Sequence, residues 1–452
     1  MAGKHHERGA RLVSSSQLRR LLKKRETYDI SLSGIPFAKS FEPWHALLIG
    51  APGTGKSSLM RDFLRQIRER GDRVVIVDTN GDYLTRFWRE GDVLLNPSDA
   101  RGENWSPWVE ISNYSDAKQL AATLSPSLQF GNDPFWDKAS QSILAASLFK
   151  LRETNEMRIS HLYKLLMNAS IADLENFLKD TKANAFMARD AEKMAASIRA
   201  TLASHIESLD LLNDCPQEKA FSVKRWIQDE TQGNWLFLSC STGQRETHLP
   251  LLSTWFDLAM RSMMDLNPSD YRRIWFFCDE LPTLGKIPFL IKGLAELRKY
   301  GGCVVAGLQN ISQLEGIYGR SNTSAFSSLF GSKFCFKNPD PSTAKWAEDM
   351  LGKAEENKMN ESLTYGANTV RDGVSLNAQE RIRPVVLDAE IMNLKMLQAY
   401  VSYPQGYPIA KHEFAFKDVP ATVPVFVKAA RDFPEDENFS VDHHQLDDCK
   451  YA

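Results

Sequence analysis

The chain carries the octapeptide Gly50-Ala51-Pro52-Gly53-Thr54-Gly55-Lys56-Ser57 directly after the apolar residues 47–49, and its spacing is GxxxxGK[ST]. Residues of these types in this order bind the phosphates of a nucleoside triphosphate. The glycines let successive backbone N–H groups turn inward around the β- and γ-phosphates. Lys56 adds a point charge there, and Ser57 can place its hydroxyl on Mg²⁺. The helix expected over 57–70 turns its positive end toward the same phosphates. Residues 50–57 together with Ser58 are the expected ATP-binding set.

A second group with chemical potential ends the apolar run Ile274-Trp275-Phe276-Phe277-Cys278 with Asp279-Glu280. At a strand end one strand from the phosphate loop, Asp279 would hold the Mg²⁺ shell through water. Glu280 would orient the attacking water or take its proton. Read alone, the same pair also suits a cap before Pro282. Gln309, after the run 303–308, is either an amide that senses the γ-phosphate or an ordinary loop residue. Arg298, in a helix closing on Gly301-Gly302, is either a partner of the helix C-terminus or an arginine finger reaching a neighbouring site.

These groups need a rigid frame. Strand-like runs occur at 45–50, 73–78, 92–95, 235–240, 274–278, 303–308, 333–337 and 398–402, apolar and seldom alternating. Such runs belong to a mainly parallel sheet covered on both faces. Helical segments separate them, which predicts a doubly wound α/β domain. From 104 to 220 only helical periodicity is visible, at 116–124, 134–153, 158–168, 171–180 and 183–212. Asn132-Asp133-Pro134 supplies a cap and a first-turn proline for the second of these. The expected layout is a basic lead over 1–30, a nucleotide-binding domain over 31–103 and 221–418, an inserted all-α domain over 104–220, and an acidic tail over 419–452. The polar stretch 352–383 reads as long loops around short elements.

Composition excludes several classes. With 43% hydrophobic and 25% charged residues the chain is ordinary globular protein. Its apolar runs fall well short of the roughly 18 residues of a membrane span, and no secretory signal is visible. The six cysteines form no CxxC pair, which suits reduced core thiols rather than disulfides or a zinc site. A net charge of −2 conceals opposite ends. Residues 1–25 hold eight Lys/Arg against one Glu, and residues 431–452 hold seven Asp/Glu against two Lys/Arg. Both ends read as solvated, mobile termini, or as a juxtamembrane lead and an acidic docking tail.

Several stretches carry a resemblance to a known family. They are Arg8–Ser14, Ile35-Pro36, residues 74–88, the signature Asn96-Pro97…Asp99-Ala100-Arg101…Trp105…Trp108, Pro134-Phe135-Trp136, residues 279–288, and residues 363–386. Over about residues 8–418 the chain resembles the cytoplasmic part of type IV secretion coupling proteins of the TraD/TrwB kind, membrane ATPases of bacterial conjugation. The resemblance implies a RecA-like domain with an all-α domain, and a ring of six subunits with ATP between them and a central DNA channel. By position it makes Lys56 and Ser57 the Walker A pair, Asp279 and Glu280 the Walker B pair, Arg298 the trans-acting arginine and Gln309 the γ-phosphate sensor.

It also implies ATP and Mg²⁺ as cofactors. The implied partners are DNA, contacted without sequence preference, the relaxase and its relaxosome, and the channel ATPases and inner-membrane components. The expected place is the cytoplasmic face of the bacterial inner membrane. Family members carry N-terminal transmembrane helices that this chain lacks, so a soluble portion or an anchorless homologue is expected. The expected function is an ATP-driven pump that couples a relaxase–DNA complex to a secretion channel. The alternatives are a nucleotide-gated docking receptor and a ring ATPase of the FtsK/HerA sort, and the 96–108 signature argues against the latter. No DNA-gripping residue is readable.

Overall fold

A computed structural model describes residues 5–126, 134–187, 192–364 and 373–429. Its strands in chain order are β1 His5–Gly9, β2 Leu12–Ser14, β3 Ile30–Leu32, β4 Ile35–Phe37, β5 Ala46–Ile49, β6 Arg73–Asp78, β7 Val93–Leu95 and β8 Leu236–Ser239. They continue as β9 Ile274–Cys278, β10 Gly302–Leu308, β11 Ser332–Phe336, β12 Lys353–Thr364, β13 Gly373–Pro384, β14 Gln398–Ser402 and β15 Ile409–Glu413. Among the described residues, ten strands form one sheet in the order β2-β15-β14-β11-β5-β10-β9-β6-β8-β7. From β11 to β7 every neighbouring pair is parallel. β14 and β15 extend the sheet on that side by antiparallel pairing, and β2 closes the edge parallel to β15.

Because side chains alternate along a strand, the unbroken apolar runs feed two cores. Leu47, Ile49, Val75 and Val77 face one, and Ala46, Leu48, Val74 and Ile76 face the other. This is the two-faced burial expected of a parallel sheet.

Between Trp105 and Phe221 the described residues hold helices and no named strand. This helical region shares its core with one face of the sheet. Glu110, almost fully buried, ties both ends of the region together. It accepts hydrogen bonds from Trp105 Nε1 at 3.0 Å, Val223 N at 2.7 Å and Lys224 N and Ser222 Oγ at 3.1 Å. Phe221 N donates to Asn104 O at 2.8 Å beside this joint.

Two expectations are corrected. The first concerns the basic lead, which is built into the fold rather than left as a mobile end. β2 pairs with β15, and helix α1, Ser15–Arg25, has a capping box at Ser14 and Gln17. Leu18 and Leu22 are fully buried in the second core while Lys23, Lys24 and Arg25 stay exposed. Counting charges registers only the solvent face of an amphipathic helix.

The second concerns 352–383, where β12 and β13 pair as a hairpin from Lys353↔Pro384 to Thr364↔Gly373. β1 extends its base. β12 is largely polar and without period two, whereas β13 alternates at Val374, Leu376, Ala378 and Ile382, so only one strand of the hairpin carries a strand signal. The acidic residues 430–452, and the cap at Asn132-Asp133, lie outside the described residues.

Replacing Leu22 with Ala removes a buried anchor of α1 and should lower the unfolding free energy by about 2–5 kcal/mol. Urea denaturation reads this directly. A change near zero would mean that the lead contributes nothing to the fold.

Candidate nucleotide-binding site

The phosphate loop leaves β5 at Gly50 and enters helix α2, Lys56–Arg70. Gly55 caps that helix at φ +123°, a conformation open to glycine and costly for other residues. Backbone bonds tie the loop to both neighbouring strand ends, Gly50 N to Leu308 O at 3.1 Å and Ala51 N to Lys337 O at 2.9 Å. Leu59, Met60, Phe63, Leu64 and Ile67 bury the inner face of α2, and Ser58 is buried beside them. Lys56 Nζ donates to Gly50 O at 2.6 Å and Ala51 O at 3.2 Å. Burial pushes its ammonium below the usual lysine value, against the opposing pull of Asp279 and Glu280.

Ser57 Oγ donates to Asp279 Oδ2 at 2.9 Å, joining groups 222 residues apart in the chain. Between their strands lies β10, so the strand next to β5 is the one that ends in Gln309, and the acid-bearing β9 comes after it. β10 approaches β9 closely at Gly307, where an added Cβ would stand 1.8 Å from Asp279 O. Gln309 N donates to Glu280 Oε1 at 3.3 Å, and Gln309 O accepts from Asn338 Nδ2 at 2.7 Å.

The buried oxygens Asp279 Oδ1 and Glu280 Oε2 have no hydrogen-bond partner among the described residues. Burial raises the Asp279 carboxyl, and it raises Glu280 to about 7. Ser57 Oγ and the Asp279 carboxylate are hard oxygen donors facing a phosphate loop, a set that fits Mg²⁺ held with several waters. No cluster of three or more His, Cys, Asp or Glu suited to a metal occurs among the described residues.

A cavity of about 620 Å³ opens beside the acid pair, lined by Asp78, Tyr83, Arg245, Asp279, Glu280 and Gln309 among others. Asp78 was not singled out from the sequence, although β6 ends in an acid just as β9 does. It is buried and accepts from Leu84 N at 2.7 Å at the start of helix α3, Asp82–Phe87. Its other oxygen has no partner among the described residues.

Arg298 lies elsewhere. It is exposed on the turn Leu297–Tyr300, with its guanidinium stacked 3.7 Å from the Trp44 ring centroid. This is the N-terminal end of β5 and β10, whereas the acid pair and Gln309 lie at the C-terminal end. The seven residues of β10, at about 3.3 Å each, separate the two ends. His45, buried with φ +62°, holds the Arg298 segment to this edge. Val304 N donates to His45 Nδ1 at 3.1 Å, so Nε2 carries the proton that bonds Leu294 O at 2.9 Å. Burial foremost lowers the His45 pKa to about 4.

The 96–108 signature holds parts of the fold together. Asp99 takes Arg101 through Nε at 2.9 Å and Nη2 at 2.7 Å, and accepts from Val427 N at 3.1 Å. Arg101 Nη1 donates to Pro424 O at 3.0 Å, and Ala100 N to Val427 O at 2.8 Å. The segment 419–429 is thereby strapped across the nucleotide-binding region, while Trp105 and Trp108 are buried near the joint of the helical region.

Burial raises Asp78 from the usual 3.8 to about 6. The folded state therefore holds this proton more tightly than the unfolded chain. The resulting stability is complete below about pH 3.8 and lost as pH rises through about 6. Asp78→Asn should remove that slope, which is worth on the order of 2–3 kcal/mol. Urea melts between pH 4 and 7 check it, and parallel curves for both proteins would contradict it.

Residues 29–415 match the family model of the type IV secretion-system coupling protein DNA-binding domain. The chain is 33% identical over 426 residues to the coupling protein TraD of Escherichia coli (strain K12), covering 93% of this chain and 59% of that protein. It thus spans less than two thirds of the length of that relative. The unbound form of the conjugative coupling protein TrwBdeltaN70 superposes with a TM-score of 0.85 at 32% identity, over 94% of this chain and 97% of that one. TrwB in complex with ADP and Mg²⁺ gives 0.84 at 32% identity, over 95% and 98%. Among the described residues no helix is long and apolar enough to cross a membrane. Fold, strand-end acids and phosphate loop agree with these matches, and the chain belongs to the type IV secretion-system coupling proteins, with their RecA-like α/β architecture.

Proposed function

We propose that this chain is the ATP-hydrolysing part of a coupling protein that recruits a relaxase–DNA complex and pumps its DNA toward a type IV secretion channel. The observation that carries the reading is the bond between Ser57 and Asp279, which joins the phosphate loop to the acid pair. The similar TrwB has been captured with the ATP analogue ADPNP, with ADP and Mg²⁺, and with the GTP analogue GDPNP, which supports the same ligands here.

Gly50 N and Ala51 N, bonded to Leu308 O and Lys337 O, shape the loop around Pro52, and the backbone N–H groups of Gly53, Thr54 and Gly55 would cradle the phosphates, with Ser58 in the first turn of the helix behind them. Lys56 neutralises charge on the β- and γ-phosphates. Ser57 and Asp279 would hold Mg²⁺, which would supply positive charge to the phosphate oxygens. Glu280 orients the attacking water and takes its proton, and Gln309, bonded to Glu280 through its backbone, reports the γ-phosphate. A carboxyl near neutrality suits that acceptor role.

Arg298 stands at the opposite edge of the sheet from its own acid pair, so its role is to complete the site of the next subunit in a homo-hexameric ring. The working layout is a nucleotide-binding domain over 31–103 and 221–418 with the helical domain 104–220 inserted. The full assembly acts at the cytoplasmic face of the inner membrane, with relaxosome proteins and channel ATPases as partners. DNA is gripped through its backbone, because a motor must accept every sequence.

Two measurements test this reading. Arg298→Ala and Lys56→Ala proteins, each inactive alone, should regain activity when mixed, since each supplies what the other lacks. An arginine finger contributes on the order of 10³–10⁵ in rate, so the recovered signal stands well above either parent. Mixed rings without recovery would exclude a trans role.

DNA should stimulate hydrolysis irrespective of sequence, and the stimulation should fall steeply between roughly 50 and 200 mM salt. Stimulation by one short sequence only, or indifference to salt, would contradict a phosphate-gripping pump.

A further inference from the structure

Trp44 and Arg298 meet at the N-terminal edge of the sheet, and the backbone beneath each is fixed. Trp44 ends the short turn Glu42–Trp44, whose first residue is buried and paired with both Arg70 and Arg273 at 2.7 Å. Trp44 N donates to Phe41 O at 2.9 Å, and Trp44 O accepts from Gly331 N at 2.6 Å. Gly331 allows this approach, because a Cβ there would stand 2.8 Å from Trp44 Cβ. Opposite, Leu297 is fully buried and Gly301 closes the turn at φ +79°, which anchors the Arg298 backbone on both sides.

What remains free is the long Arg298 side chain, whose rotatable bonds give it many conformations. Arg272 and Arg273, on the same edge, are held by the carboxylates of Glu230 and Glu42. Arg298 makes no salt bridge among the described residues, and its guanidinium lies 3.7 Å from the Trp44 ring centroid instead. A guanidinium stacked on a ring uses its face, while its five N–H donors point outward from the rim. The stack therefore orders the side chain and leaves its hydrogen-bonding edge available to phosphate oxygens.

We propose that Trp44 is a positioning residue for the trans-acting arginine, holding the Arg298 guanidinium in the orientation that enters the next subunit's site. The inference rests on the reading that Arg298 completes that neighbouring site. A carboxylate in the place of Trp44 would offset the charge that the phosphates are to meet. An aromatic face fixes the guanidinium and leaves its charge unpaired. A finger ordered in advance loses less conformational freedom as the transition state forms. A stack that instead parked the arginine away from the neighbour would have to break before each turnover, and removing it would speed hydrolysis.

The test uses the mixture of Arg298→Ala and Lys56→Ala chains, with DNA and Mg²⁺-ATP. There the Lys56→Ala chain donates the arginine, and the Arg298→Ala chain holds the working phosphate loop. Trp44→Ala added to the donor chain should lower the recovered kcat about five- to thirtyfold, as loss of a cation–π contact does, and leave KM for ATP unchanged. Trp44→Phe in the donor should restore most of that loss. Trp44→Ala added to the Arg298→Ala chain should give the recovered rate of the original mixture. An equal loss from either chain overturns the proposal, since a structural defect does not distinguish donor from acceptor. No loss from the donor overturns it too, and so does a gain, which would mark a parked arginine. If the original mixture regains no activity, the trans reading fails first and the positioning role falls with it.

Discussion

The hydrogen bond from Ser57 to Asp279 can form only if β9 and the start of α2 converge across an intervening strand. β10 is that strand, and Gly307 allows the convergence, because a side chain there would collide with the Asp279 carbonyl. β5, β10 and β9 are parallel and covered on both faces, so their C-terminal ends finish at one edge. The phosphate loop, Gln309 and the acid pair share that edge for this reason. The chemistry of the site follows from strand order and one missing side chain more than from any local motif.

That convergence is costly. Asp78, Asp279 and Glu280 crowd one cavity, each with a buried carboxylate oxygen that no described group satisfies. Lys56 offsets part of the charge, but burial is the leading influence on all three acids and raises them. Stability is given up where charge is to be handled, a common signature of functional sites. The expense is met elsewhere, by two aromatic-rich cores and by Glu110, which ties the two ends of the helical region together with four hydrogen bonds.

What the sequence disclosed depended on how local each signal was. The phosphate loop is contiguous, and its spacing alone reveals it. The central strands are legible because burial on both faces leaves uninterrupted apolar runs. β2 is a three-residue edge strand that pairs with β15 across nearly the whole chain, so it carries no signal of its own. β13 alternates at Val374, Leu376, Ala378 and Ile382, but its partner β12 is largely polar with no alternation, so half of the hairpin carries no signal of its own. Asp78 escaped notice because its strand ends in a single acid with no second motif beside it. The 96–108 signature was legible as a signature, but its work as a clamp on residues 419–429 requires seeing Asp99, Arg101 and Val427 together.

Arg298 shows why position matters more than identity. Its residue type and helical setting suit two roles, and the fold separates it from its own acid pair by the length of a strand. The segment that carries it is fastened through His45, which bonds Leu294 on one side and Val304 on the other. A protonated His45 would lose its acceptor nitrogen and place a second cation near Arg298. Burial, aided by that neighbouring charge, prevents this by holding the ring neutral down to about pH 4. His45 beside Arg298 therefore stays neutral over the range in which Asp78 and Glu280 at the other edge titrate. The two ends of the sheet answer to different chemistry while remaining parts of one rigid layer.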